Sequence, residues 1–306
     1  MSQNSNLSSP VLTGARQTMM SWSKVIESRE EIPEIYRPFL DPLLAASPGF
    51  PYIVLAPPLD KFLRKTSEKL ICDSPEAIHI FERSGDQVLK KSYAYQKIGM
   101  LEVGIILLKS WITLCGENSE GSNDCTTLEF NTSSERHYAA FLKKIRPAAE
   151  ENNESSLKTE QGKFDHLSGA NFKFMNYARS SLLAGETVLQ SVLQPEIRVP
   201  AWKIFGWTFH RTVSLAHLSI LTDRELILIR DDERSKAIKG VRYGGVWQYI
   251  RLESIRSVRL EDADDDLLSL VIVPAGGDAI KKKFAAASKP ELEQLRDKLQ
   301  EMLLSF

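Results

Sequence analysis

The feature that most constrains the fold of this chain is an internal repeat. Tyr95–Ser134 aligns with Tyr249–Ser288 without a gap, at a fixed offset of 154 positions from residue 95 to residue 249. The matched pairs are Tyr95 with Tyr249, Leu101 with Ile255, Ile106 with Leu260, Leu114 with Leu268, Phe130 with Phe284 and Ser134 with Ser288. Because one offset runs through predicted strands, loop and helix, it predicts two copies of one small domain. The alternative is chance similarity between two amphipathic segments.

Length and composition agree with two domains. A chain of 306 residues suits two domains of ordinary size, and 42% apolar with 26% charged residues is typical of globular proteins. The formal net charge is −1, which gives no global electrostatic case for binding nucleic acid or an anionic membrane. We therefore expect no nucleic-acid partner, and any basic site must be a local patch.

The cysteines and the apolar runs indicate the compartment. Cys72, Cys115 and Cys125 are an odd number without metal-ligand spacing, which predicts reduced thiols rather than a disulfide scaffold or a zinc site. The first residues lack the charged and apolar regions of a signal peptide. Apolar runs such as Val103–Leu108 are too short to cross a bilayer. We expect a cytoplasmic protein without a transmembrane segment, with peripheral membrane association as an open alternative.

Composition shifts along the chain divide it into five segments. We expect a disordered polar tail at residues 1–14, a proline-rich segment at 15–58 that wraps onto a domain, and a first domain at 59–146. A polar linker at 147–170 and a second domain at 171–306 complete the division. Short helices are predicted at Gln17–Ile26 and Leu59–Leu70.

Both predicted domains show a run of short strands followed by one amphipathic helix. Ser134 and Ser288 are the predicted N-caps of these helices, and Glu291 would complete a capping box with Ser288. The pattern predicts an α+β fold that is mainly antiparallel β, with two small barrels or pairs of orthogonal sheets, each closed by its carboxyl-terminal helix. Strands of the first domain are recognised only from Ile78 onward, and we expect the proline-rich segment to replace the opening strands.

In detail, the second copy resembles the bacterial pleckstrin-homology-like family over about residues 172–304. The residues that carry the resemblance are Gly185-Glu186, Gln194-Pro195, Leu218–Leu226, Tyr249–Ile255 and the terminal helix. The resemblance implies two tandem pleckstrin-homology-like domains, of which the first is divergent. Lipid-binding members of this superfold hold phosphoinositide phosphates with basic side chains around the loop between their first two strands. Their pattern, a lysine followed by a closely spaced basic pair, is absent here.

Catalytic and metal-binding signatures are missing from the sequence. There is no G-x-S-x-G elbow, and the five histidines form no H-x-x-x-H or H-E-x-x-H pair. The acidic run Glu261–Asp266 lacks the register of a calcium loop and is interpreted as a solvated connection. Three consecutive lysines, Lys281–Lys283, are interpreted as protection of a sheet edge. We therefore predict no catalytic residue, no bound metal and no cofactor.

The best candidate for a binding site is the loop between the first two predicted strands of the second copy. It combines cations with large aromatic residues, namely Arg198, Trp202, Lys203, Phe205 and Arg211. The alternative is that Trp207 and Phe209 belong to the core. We expect a non-catalytic binding or scaffold protein with a protein partner. Peripheral binding of lipid headgroups or phosphoinositides is the second hypothesis, and an enzyme of unrecognised type is the third.

Overall fold

The computed structural model describes residues 21–59, 66–148, 154–205, 207–235, 237–238 and 241–305; at residues 203, 204, 237, 238 and 241 the description covers the backbone alone. The predicted tail at 1–14 lies outside this range. Strands dominate, and every strand pairing is antiparallel, which confirms the α+β class with mainly antiparallel sheets.

The amino-terminal half is an antiparallel meander in chain order. Its elements are β1 (Lys24–Ile26), α1 (Arg37–Ala46), β2 (Ile53–Ala56), β3 (Lys69–Asp73), β4 (Ala77–Ser84), β5 (Gln87–Ile106), β6 (Lys109–Asn118), β7 (Asn123–Asn131) and α2 (Ala139–Ile145). Strand β5 is 20 residues long. Its first part pairs with β4 and its second part with β6, so this strand belongs to both parts of the meander.

The carboxyl-terminal half contains two sheets and two hairpins. Its elements are α3 (Glu154–Gly162), α4 (Ser168–Ser181), β8 (Val188–Gln194), β9 (Ile197–Ile204), β10 (Trp207–Ser214), β11 (His217–Thr222), β12 (Glu225–Arg230), β13 (Ala237–Ile238), β14 (Val241–Arg242), β15 (Gly245–Arg251), β16 (Ile255–Ala263), β17 (Leu267–Pro274), β18 (Ile280–Ala285) and α5 (Lys289–Leu303). Strands pair in the order β8-β11-β12-β15, and β16-β17-β18 form a separate sheet.

An antiparallel ladder between β5 and β15 joins the two halves. It runs from Ile105 opposite Gly245 to Met100 opposite Ile250 and creates one 11-stranded sheet. The strands that the structure describes form no closed barrel.

The apolar run of β12 is explained by burial on both of its faces. Leu226 and Leu228 pack with α5 and the β16–β18 sheet, whereas Ile227 and Ile229 pack with Phe174 of α4. A strand covered on both faces has no position that favours a polar residue, so its sequence is continuously apolar.

Both halves end with the same order of elements. Phe130 in β7 and Phe284 in β18 each lie in the last strand before a helix. The ungapped alignment is nevertheless wrong in the middle, because Phe130 lies opposite Ser110 while Phe284 lies opposite Leu268. Leu268 therefore occupies the ladder position of Ser110 rather than that of Leu114. The middle strand is displaced by four positions, because β16 continues to Ala263, three residues beyond the position aligned with the end of β5, and the turn at residues 264–266 is one residue longer than that at 107–108.

The opening strands of the first half are present, in contrast to the prediction. Ile53–Ala56 forms β2 and Lys69–Asp73 forms β3, and Tyr36, Leu40 and Phe81 pack around them in a buried cluster. The proline-rich segment thus contributes two strands, β1 and β2, and the helix α1 to the core. Proline cannot donate a ladder hydrogen bond, so the prolines on both sides of β2 argued against a strand there, and β2 is only four residues long.

Three other local predictions were wrong. The described part of the expected helix at Gln17–Ile26 forms strand β1, and that of Leu59–Leu70 ends in strand β3. Residues 147–170 are not only a polar linker, because they contain α3 and the buried residues Phe164 and Leu167, which pack with the second half.

The predicted helix caps also differ. Ser288 makes no capping hydrogen bond, and its hydroxyl lies 3.5 Å from Gln194 Oε1. The Ser134 hydroxyl accepts a hydrogen bond from the Ser23 backbone at 3.0 Å, and the side chain of Asn131 caps the 3-10 helix Thr132–Tyr138 that precedes α2. Both serines are used for tertiary contacts, which spacing along the chain does not reveal.

Cys115 and Cys125 form a disulfide bond across β6 and β7, which corrects the prediction of reduced thiols for these two residues. They are directly opposite in the ladder, with 4.2 Å between their Cα atoms. Cys72 is a free, buried thiol. No helix within the described ranges is long and apolar enough to span a bilayer.

Arg146, at the end of α2, provides a second connection between the halves. Its Nε donates to both carboxylate oxygens of Glu225 at 3.1 Å, and its Nη2 donates to the Ser181 carbonyl at 2.9 Å. The guanidinium lies 3.6 Å from the centre of the Tyr249 ring. Glu186 lies 3.8 Å away, and burial together with the charge of Glu225 raises the pKa of Glu186 to about 7.

The terminal helices should be required for the stability of both halves. Phe141 and Leu295 are buried at the centres of their apolar stripes. Replacing either by alanine should lower the free energy of unfolding by about 2–5 kcal/mol, because the cavity and the lost apolar contacts add. Chemical denaturation measures this. Leu89→Ala, at an exposed position, is the matched control and should cost less than about 0.5 kcal/mol.

The raised pKa of Glu186 predicts a pH dependence of stability. Its folded pKa of about 7 lies above the ordinary 4.5, so the folded state binds more protons and stability falls as pH rises between these values. Glu186→Gln keeps the acceptor for the Leu183 backbone and removes the charge. The variant should be more stable than the parent at pH 8 and equal to it near pH 4. Equal pH profiles for the parent, Glu186→Gln and the exposed control Glu301→Gln would contradict this assignment.

Candidate functional site

The predicted loop is a β-hairpin that extends away from the sheets. Strands β9 and β10 pair only with each other among the described strands. Phe209 lies opposite Trp202, and Trp207 lies opposite residue 204. Because directly opposed residues share a face of the ladder, Trp202, Trp207 and Phe209 lie on one face. The Trp202 and Phe209 rings are 5.9 Å apart.

This aromatic face is exposed. The exposed fractions of Trp202, Trp207 and Phe209 are 62%, 76% and 48%, and Phe205 at the tip is 97% exposed. The alternative that Trp207 and Phe209 belong to the core is therefore wrong. Moving apolar side chains of this size out of water lowers the free energy. Covering this face of the hairpin with a partner is therefore favourable.

The arginines beside the aromatic face have partners within the chain. Arg198 Nη2 lies 3.1 Å from Glu196, and Arg211 Nη2 lies 2.8 Å from Asp265. The hydrogen bond to Glu196 raises the pKa of Arg198, and the same contact lowers the pKa of Glu196. The structure brings Arg198, Trp202, Phe205 and Arg211 together on one hairpin. The side chain of Lys203 lies outside the description.

A cleft of about 960 Å³ opens at the base of the hairpin. Its walls come from the end of β10, the connection after β12, and β18. Apart from Val213 and Leu215 the lining residues are polar, and six are lysine or arginine while three are acidic: Thr212, Ser214, His217, Arg230, Asp231, Asp232, Glu233, Arg234, Arg242, Ser269, Lys281, Lys282 and Lys283.

The three lysines lie on β18, which is an edge strand of its sheet as the interpretation of edge protection expects, but Lys282 faces the core. It lies on the same face of β18 as Ile280 and Phe284, which pack into the core. Its Nζ donates to Gln248 Oε1 at 3.3 Å. Burial and the neighbouring Arg230 lower the pKa of Lys282 to about 8. An inward-facing lysine is thus held close to an arginine at the end of the core.

Glu102 places a carboxylate from the first half next to this cleft. It accepts hydrogen bonds from Trp111 Nε1 at 2.7 Å and from Gln248 Nε2 at 2.9 Å. Arg230 lies 3.6 Å from Glu102 and 3.8 Å from Asp232. Sequence analysis missed Glu102, Arg230 and Lys282. The available signal was the alternation of β18, which places a lysine between two core positions.

His217 borders the same cleft in a neutral form. Burial lowers its pKa to about 4, and its Nδ1–H donates to the Leu215 carbonyl at 2.9 Å. Its ring packs edge-on against Phe284 at 4.7 Å. Within the described residues, the His217 Nε2 atom and the hydroxyl of buried Ser219 have no hydrogen-bond partner. This end of the core is therefore polar, in contrast to the apolar end beneath α5.

The acidic run is organised by ion pairs. Glu261 lies 2.6 Å from Arg259 and 3.8 Å from Lys281, while Asp265 pairs with Arg211. Among the residues with described side chains, no group of three or more histidine, cysteine, aspartate or glutamate side chains is arranged to hold a metal ion.

Comparison with known proteins gives no further indication of function. Neither a protein-family model nor a curated protein sequence matches the chain.

Proposed function

We propose that the chain is a non-catalytic binding or scaffold protein whose β9–β10 hairpin binds a protein partner. The observation that carries the proposal is the exposed aromatic face of Trp202, Trp207 and Phe209, with Phe205 at the tip. Tryptophan is enriched among the residues that dominate the free energy of protein interfaces. A pair of tryptophans on one face of a rigid hairpin supplies contact area with little loss of conformational entropy.

The charges favour a protein over a membrane. Arg198 and Arg211 are paired with carboxylates of the same chain, and Asp265 brings an acidic turn to the base of the hairpin. Attraction to anionic headgroups requires cations that are free to approach the surface. Peripheral membrane binding is the second candidate, and it is favoured by the 97% exposure of Phe205.

We also propose that the two halves are tandem pleckstrin-homology-like units. In each half the strands are followed by a helix that packs on their core, and the second half contains a four-stranded order followed by a separate three-stranded sheet. This order supports the family resemblance. On this proposal the hairpin is an enlarged connection between the first two strands of the second unit, β8 and β11.

The double substitution Trp202→Ala and Trp207→Ala tests the proposed site. It should weaken partner binding roughly 100-fold or more, since two interface tryptophans can each contribute about 2 kcal/mol. The melting temperature should change little, because both side chains are exposed in the free protein. A photocrosslinker at position 205 identifies the partner, and titration of that purified partner measures affinity. Leu107→Ala with Leu108→Ala, at another exposed turn, is the control.

The outcomes separate the two candidates. A discrete protein adduct that disappears in the tryptophan variant supports the proposal. Binding to lipid vesicles that depends on the tryptophans, without a protein adduct, would replace it with the membrane hypothesis. If the protein forms no adduct and does not bind vesicles, the hairpin is not a binding site.

At Phe205 the residue that favours partner binding should lower the stability of the free protein. Its φ is +48°, a left-handed conformation that an aromatic residue rarely adopts. Phe205→Asn should raise the free energy of unfolding by about 0.5–1 kcal/mol, because asparagine tolerates this conformation better. The same substitution should weaken partner binding, since it removes the exposed ring. Denaturant unfolding and the binding titration check both signs, and a less stable variant would contradict the argument.

A further inference from the structure

The cleft at the base of the hairpin contains more positive than negative charge. Its acidic side chains are largely occupied within the chain: Asp231 pairs with Lys173, and Asp232 accepts from Arg234 at 2.7 Å. By contrast, Lys282, Lys283 and Arg242 make no ion pair with any residue whose side chain the structure describes. Three cations therefore line one cleft without a carboxylate in ion-pair distance, against one acidic residue of the described lining, Glu233, that has no ion pair either.

Lys282 is the costly member of this group. A charged ammonium that loses water must be compensated by an anion or by several hydrogen bonds. Its recorded partner is one amide oxygen, at 3.3 Å, and Arg230 nearby adds repulsion. An apolar side chain would fit the inward position between Ile280 and Phe284 at lower cost. The lysine gains a physical reason only when an anion enters the cleft.

We propose that this cleft binds the phosphate group of a small ligand, with Lys282 as its principal contact and Lys283 and Arg242 completing the site. A phosphate monoester carries about −1.5 to −2 charges at pH 7, which matches the excess of unpaired cations better than a single carboxylate does. Its oxygens point in several directions, and the cations come from two different elements, β18 and β14. The volume of about 960 Å³ leaves room for more than the phosphate.

Glu102 sets the orientation of Lys282 through Gln248. Its two oxygens are used by Trp111 and Gln248, and Arg230 is beside it. The carboxylate therefore fixes Gln248, whose amide oxygen in turn accepts from Lys282. A ligand anion would find Lys282 oriented by this chain of hydrogen bonds.

The test is a thermal-shift titration of the full chain with inorganic phosphate and with pyrophosphate. At about ten times the dissociation constant, the melting temperature of the parent should rise by roughly 3 °C. In Lys282→Met this rise should disappear, and the melting temperature without phosphate should be higher than that of the parent, because a partly buried charge has been removed. Lys90→Met is the control, since Lys90 is exposed on β5 and lies outside the lining of the cleft; its phosphate response should equal that of the parent.

Lys283→Gln keeps the proposal testable if Lys282→Met folds poorly. It should weaken phosphate binding at least tenfold, the loss expected for one charge-assisted hydrogen bond, and leave the melting temperature without ligand unchanged. Vesicles containing phosphatidic acid form a second arm. Binding of such vesicles through Lys282, without a response to soluble phosphate, would assign the phosphate to a lipid headgroup. Equal responses in the parent, Lys90→Met and Lys282→Met, or no response to any probe, would overturn the proposal.

Discussion

The antiparallel ladder between β5 and β15 is the interaction on which the arrangement of the chain depends. Each strand would otherwise present a row of unpaired backbone N–H and C=O groups, and the ladder satisfies both rows at once. Where the ladder ends, the two strands approach so closely that the residue preceding β15 must lack a side chain. Gly244 has φ of +79°, and a Cβ atom there would lie 2.1 Å from the Ile105 carbonyl oxygen. A substitution at Gly244 would therefore force the two halves apart.

The two candidate sites differ in how they depend on this pairing. Register places Glu102 of β5 opposite Gln248 of β15, so a carboxylate of the first half orients an amide in the cleft of the second. The β9–β10 hairpin is the opposite case, because its strands have no ladder partner among the described strands except each other. Its aromatic face is left in water at a cost that the fold does not offset, and this exposure is the reason for the proposal of an external partner.

Sequence patterns predicted the features that depend on periodicity along one segment. The buried stripe of α5, Leu292, Leu295 and Leu299, follows from helical spacing, and the last strands and helices of both halves follow from the repeat. Features that depend on pairing between distant segments were missed, including the short strand β2, the disulfide between Cys115 and Cys125, and the ladder between the halves. Aromatic residues of the candidate hairpin were recognised by composition. Lys282 was missed because the direction of a strand side chain is set by its register.

Native-state hydrogen exchange of the amides that point into the β5–β15 ladder tests this account most directly. Because each strand completes the other's hydrogen bonding, the amides within residues 100–105 and 245–250 should become exchange-competent in one cooperative opening, with the same free energy and denaturant dependence. If the amides of β15 exchanged through an opening that left those of β5 protected, the two halves would be separate units. The cleft could not then rely on Glu102, and the account would be wrong.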